Sequence, residues 1–175
     1  MQRRMTTAIL MALAFGVSWA DEIAQDSPLK VDLDTVVSTG TVHPVDGITS
    51  AGQPDEAALR VFAEQGYTTV IDLRTEGEDR GFDEATTVNS LGMRYVPLPI
   101  GRDSITFENA RALDKLIEDA DGPVLVHCGS GNRVGALLAL RKSLAGADDA
   151  SALEYGKEGG LTSLEGQVKE LLSTE

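Results

Sequence analysis

Cysteine, histidine and positive charge are all scarce in this chain. Its 175 residues include one Cys, two His and one Trp, and 15 Lys or Arg face 28 Asp or Glu, for a formal charge of −13. A single cysteine excludes an intramolecular disulfide, so Cys128 serves either burial or chemistry. Two histidines and one cysteine make no recognisable metal-ligand set, and no nucleotide-binding glycine fingerprint occurs; neither a metal nor another cofactor is expected. The deficit of positive charge argues against nucleic acid or an anionic membrane as partner.

Long apolar runs are also missing, apart from Ala8 to Val17. That run is short for a bilayer span. Arg3 and Arg4 precede it, and Ser18-Trp19-Ala20 follows with small residues at the two positions a signal peptidase reads. Residues 1–20 are therefore expected to be a signal peptide, with an uncleaved anchor as the alternative. Export to the periplasm or medium would follow, without stable membrane insertion after cleavage. Loss of Arg3 and Arg4 would move the charge from −13 to −15. What remains suffices for one domain and not for two. Residues 21–37 read as a polar arm and 38–175 as the domain. The sequence sets no oligomeric state.

Along the domain, strands alternate with helices. Pro54-Asp55 opens a helix that Gly66 ends. Thr68 to Leu73 carries β-branched residues on both faces, the pattern of a buried parallel strand. Phe82 to Leu91 reads as a helix. Arg94 to Ile100 reads as a strand whose two prolines place it near an edge. Phe107, Ala110, Leu113, Leu116 and Ile117 share one helical face. Pro123 to Val126 is the most apolar strand, and Val134 to Leu144 a strongly apolar helix. Two helices close the chain, the second with a capping box at Thr162 and Glu165. The fold class is α/β, with a mostly parallel sheet of four to five strands flanked by helices.

The segment from Val124 to Gly135 runs strand, glycine-rich loop, helix. Gly129 and Gly131 allow positive φ, so successive N–H groups can face one concavity. The helix behind adds unsatisfied N–H groups and its positive dipole end. Arg133 adds a planar fork suited to two oxygens of an anion. Such a cradle fits a tetrahedral dianion, and the same field favours the thiolate form of Cys128. A thiolate beneath a phosphate cradle is placed for attack on phosphorus. The alternative is a buried strand cysteine beside an ordinary glycine turn.

His127-Cys128 with the downstream Arg133 and Gly135 resembles the active-site loop of protein tyrosine and dual-specificity phosphatases. It is closest in kind to small bacterial members, including phosphatase-like domains fused to other enzymes. The likeness runs from about Thr39 to Leu172 and includes Ser50 to Pro54, Val70 to Arg74 and Gly159 to Thr162. It implies a phosphotyrosine-phosphatase-like fold of dual-specificity type. It further implies Cys128 as nucleophile, Arg133 as phosphate clamp, and His127 as the residue that orients the loop. Gly129, Ser130, Gly131 and Asn132 would supply backbone donors. A phosphorylated protein or small phosphomonoester would be the substrate. Two departures stand out: four residues separate Cys128 from Arg133 where that family usually has five, and Val134 replaces the usual Ser or Thr.

Ester cleavage needs a proton for the leaving oxygen. Asp103 is the matching loop acid, with helix capping as its alternative role. Asp72 is less suited, inside a buried strand; Arg74 and Glu76 are expected to pair at the cleft rim; His43 is expected to be exposed. Two other functions fit the loop. Ser130-Gly131-Asn132-Arg133 also suits a rhodanese-type sulfurtransferase carrying a Cys128 persulfide. A non-catalytic oxyanion-binding module would use the same cradle without turnover.

Overall fold

The computed structural model describes residues 42–45 and 47–174. The expected signal peptide (1–20) and arm (21–37) lie outside the described residues. Five strands form one sheet in the order β1-β2-β5-β3-β4. They are β1 (Val42–Val45), β2 (Ile48–Ala51), β3 (Thr69–Asp72), β4 (Arg94–Pro97) and β5 (Val124–His127). β1 is antiparallel to β2, and every other pairing is parallel. β3 and β5 lie inside the sheet and are buried along their length. β4 takes the edge that its prolines require. His43, on the opposite edge strand, is half-buried rather than exposed.

Six α-helices cover the two faces: α1 (Glu56–Glu64), α2 (Glu84–Ser90), α3 (Phe107–Glu118), α4 (Asn132–Leu144), α5 (Asp149–Glu158) and α6 (Glu165–Leu172). Strand side chains alternate between faces, so neighbouring positions enter different cores. Val70 and Leu125 meet Ala58, Leu59, Phe62 and Val88 of α1 and α2. Ile71, Val124 and Val126 meet Leu113, Leu137, Leu140 and Val168 of the other helices. The middle of α4 is apolar all round because it is enclosed, with Val134 and Ala136 to Leu140 all fully buried. Among the described residues no helix is long and apolar enough to cross a membrane.

Local chemistry sets most helix starts. Asp55 accepts a hydrogen bond from the Ala58 N–H at 2.7 Å, and Thr106 one from the Asn109 N–H at 3.2 Å. The capping box expected at α6 does not form. The Thr162 N–H is instead drawn to Asn132 Oδ1 at 2.7 Å, and the Glu165 carboxylate pairs with Lys169 and Lys157, only its backbone N–H reaching the Thr162 carbonyl. A tertiary partner outcompetes the local cap, because Thr162 lies against the loop that precedes α4.

Candidate active site

The parallel strands end together, and the loop after β5 emerges at that edge. Cys128 is 1 % exposed, and its N–H donates to the Ala51 carbonyl at the end of β2 at 3.3 Å. Gly131 sits at φ +80°, a backbone that only glycine adopts freely, and turns the chain into α4. It gives the first N–H groups of α4 no side-chain cap, so they remain available to an anion. Of the two loop glycines only Gly131 has positive φ; Gly129 does not adopt it.

The tail after α5 supports this loop from the side. Asn132 Oδ1 accepts from the Thr162 N–H, and Asn132 Nδ2 donates to Ser163 Oγ at 2.8 Å. The Ser50 hydroxyl donates to the Gly159 carbonyl at 2.7 Å, tying the same tail to β2.

A cleft of about 390 Å³ opens over the loop, lined by Thr75, Glu78, Gly101, Arg102, Ser130, Asn132, Arg133 and Leu164. The Arg133 guanidinium is gripped by Glu78 in a two-pronged pair: Nη1 donates to Oε1 at 2.7 Å and Nη2 to Oε2 at 2.6 Å. Nη1 also donates to the Ile100 carbonyl at 3.0 Å. These bonds leave the Nε edge of the guanidinium for an anion. Arg133 is held above the ordinary arginine range, first by Glu78 and then, against desolvation, by its contact with Cys128. Arg133 in turn holds the Glu78 carboxyl down at about 2. Glu78 is preset for this contact by its own turn, where Oε1 accepts from the Thr75 N–H at 2.9 Å and the Thr75 hydroxyl at 3.1 Å.

Ser130, Asn132 and Arg133 line the cleft together, and Cys128 lies buried in the same loop beside Arg133. Asp103 is not among them. It lies exposed on a 3₁₀ turn at Arg102–Ser104, and the neighbour Arg102 lines the cleft in its place. Glu78 was not foreseen. The rim ion pair assigned to Arg74 and Glu76 is made with Glu78, at 3.4 Å from Arg74 Nε, while Glu76 is exposed.

His127 and Asp72 are register partners on β5 and β3, and both point toward α2. Both are fully buried, as is the side chain of Glu84 at the start of α2. Asp72 Oδ2 accepts from Arg80 Nε and from the Tyr95 hydroxyl, each at 2.6 Å, and Oδ1 from the Arg74 N–H at 2.7 Å. The Tyr95 hydroxyl is pushed up by burial and by Asp72. Glu84 Oε2 accepts from Gln53 Nε2 at 3.0 Å.

Comparison with known proteins accords with this geometry. Residues 43–145 match the phosphatase-like domain of beta-lactamase hydrolase-like proteins, a match over more than half the chain. The chain belongs to this phosphatase-like family. Relatives include the beta-lactamase hydrolase-like protein of Agrobacterium fabrum, 33% identical over 118 residues, or 65% of this chain and 27% of that one. The Xylella fastidiosa protein is 36% identical over 112 residues, 60% of this chain and 26% of its own length. The chain therefore spans about a quarter of the length of these relatives. Among solved structures, TpbA of P. aeruginosa superposes with a TM-score of 0.57 at 19% identity, covering 74% of this chain and 85% of TpbA. The family's fold is that of cysteine-based phosphatases, and the five-stranded, mostly parallel sheet flanked by helices conforms to it.

Proposed function

We propose that the chain is an exported, cysteine-dependent phosphomonoester hydrolase working through a phosphocysteine on Cys128. The observation that carries this reading is the loop itself: an uncapped helix start and an arginine fixed by Glu78 line one cleft, and a buried cysteine lies in the same loop. The substrate phosphoryl group would rest on the loop N–H groups and the Nε edge of Arg133. The Cys128 thiolate would attack phosphorus, forming the S–P bond as the P–O ester bond breaks. Water would then attack phosphorus, break the S–P bond and release inorganic phosphate. His127 would position the loop from beneath.

Among the described residues the only carboxylate lining the cleft is Glu78, which is held ionised down to about pH 2 and has no proton to give at neutral pH. Asp103 would have to turn inward by one residue position to supply one. Substrates whose leaving oxygen needs little protonation are therefore favoured, namely aryl phosphates, including phosphotyrosine on a protein. One solved structure of TpbA holds phosphotyrosine, which supports that choice by analogy. Residues 1–20 support export to the periplasm or medium.

Sulfurtransfer is the second reading. It is favoured by the four-residue spacing of the loop and by the lack of a protonated acid in the cleft, which persulfide chemistry does not need. The thiolate would attack the outer sulfur of thiosulfate, form a persulfide and release sulfite.

Hydrolysis of p-nitrophenyl phosphate under reducing conditions tests the first reading. Wild type is expected to turn over and Cys128→Ser to lose at least about a thousandfold, the scale of removing a covalent nucleophile. Equal rates for the two proteins would sink it.

A further inference from the structure

We propose that Asp72, Glu84 and His127 form a site for one divalent transition-metal ion, set beneath the cysteine loop. Asp72, Glu84 and His127 each offer one ligand atom, all within 4.8 Å of one another and all on buried side chains. His127 Nε2 is 2.8 Å from Glu84 Oε1 and 3.7 Å from Asp72 Oδ1. Among the described residues, neither ring nitrogen of His127 has an aligned hydrogen-bond partner, and Glu84 Oε1 has none either. Two buried polar atoms that face each other closely without a hydrogen bond leave a cost that a shared cation removes. Ligands at about 2.0–2.2 Å from such an ion, set at right-angled to tetrahedral geometry, would stand roughly 3 to 3.5 Å apart. The two observed separations bracket that range.

The surroundings fit as well. In metal sites the atoms that do not bind the ion are held by outer partners. Here Asp72 Oδ2 is held by Arg80 and Tyr95, and Glu84 Oε2 by Gln53. The inward-facing oxygens are those left to converge on His127, although Asp72 Oδ1 shares a lone pair with the Arg74 N–H. Two carboxylates face one guanidinium, Arg80, which lies on their outer oxygens at 2.6 and 3.9 Å. A divalent ion would turn this net negative cluster positive, one residue from Cys128. The donor set of one imidazole and two carboxylates suits Zn²⁺, Mn²⁺ or Fe²⁺ better than Ca²⁺.

Sequence inspection could not see this site. The ligands come from β3, α2 and β5, and two of the three are carboxylates with no motif spacing.

The test is metal content and thermal stability of the untagged full chain, with Zn²⁺ as probe. After Zn²⁺ loading and gel filtration, wild type and Cys128→Ser are each expected to retain about one equivalent, and zinc to raise the Tm of both, as binding to the folded state requires. Glu84→Gln is expected to retain less than about a tenth of an equivalent and show no rise in Tm. Wild type that holds no zinc and shows no Tm shift overturns the proposal, even if Glu84→Gln fails to fold. So does loss of zinc from Cys128→Ser, which would place the ion on the thiolate. None of these readouts depends on phosphatase activity, so the site and the proposed reaction can fail separately.

Discussion

Glu78 carries the most information of any single residue. It occupies two donors of Arg133 and so fixes which edge of the guanidinium faces the cleft. Replacing it with Gln keeps the shape but weakens the charge-assisted grip. The expected result for Glu78→Gln is a fall in kcat/KM of roughly ten- to a hundredfold on aryl phosphate, as arginine loses its orientation. Stability should fall by about 1–2 kcal/mol, less than the full linkage value, because water screens a partly exposed pair. The sign follows from a folded carboxyl held near 2 against an ordinary 4.5. Its contribution is complete above about pH 4.5 and is lost as pH falls through 2. Denaturant melts at pH 7, 4 and 2 should therefore show the gap between wild type and Glu78→Gln persisting at pH 4 and closing by pH 2. A gap that closes by pH 4 would place Glu78 outside this pair. Sequence reading chose Glu76 for the local pair because adjacent charges look alike on paper. The selection is made by Arg133, 55 residues away, and by the Thr75 turn.

Among the elements, α4 and α5 make the tightest contact. A Cβ on Gly135 would stand 2.2 Å from the Leu161 N and 2.5 Å from the Gly156 carbonyl oxygen, and one on Gly156 would stand 2.7 Å from the Ala139 Cβ. These neighbours are largely backbone and cannot swing aside. Gly135→Ala should destabilise by about 2–3 kcal/mol, overpacking exceeding the roughly 1 kcal/mol gain in helix propensity. Because Leu161 leads into Thr162 and Ser163, which hold Asn132, activity should fall as well. A Gly135→Ala protein with unchanged Tm would show that the two helices can part without cost. The elements themselves were largely legible. Thr68 to Leu73 reads as a buried strand because both faces are apolar or β-branched, and Val134 to Leu144 as an enclosed helix because no polar residue interrupts it before Arg141. The capping box failed because Thr162 has a better partner outside its own helix. Asp103 lies exposed on its 3₁₀ turn while Arg102 lines the cleft, since one residue along a tight turn changes which side chain faces it.

For the molecule as a whole, the parallel order of β2, β5, β3 and β4 gathers every strand end used by the site at one edge. Ligands in open α/β sheets bind at that edge, outside the carboxyl ends of the strands. The Cys128 loop, Glu78 after β3 and Arg102 after β4 all meet there. The α/β class and the Cys128–Arg133 loop were readable because strand, glycines and helix are contiguous. The buried Asp72–Glu84–His127 cluster was not, because only the sheet register and the packing of α2 bring its members together.

Acid-quenched mass spectrometry of the purified protein during turnover of an aryl phosphate tests the Cys128 phosphatase reading most directly. A phosphoryl adduct is predicted on the peptide carrying Cys128, absent from Cys128→Ser. An unmodified Cys128 with aryl phosphate, joined by a persulfide on the same residue after thiosulfate, would contradict phosphoryl transfer and assign the loop to sulfur chemistry.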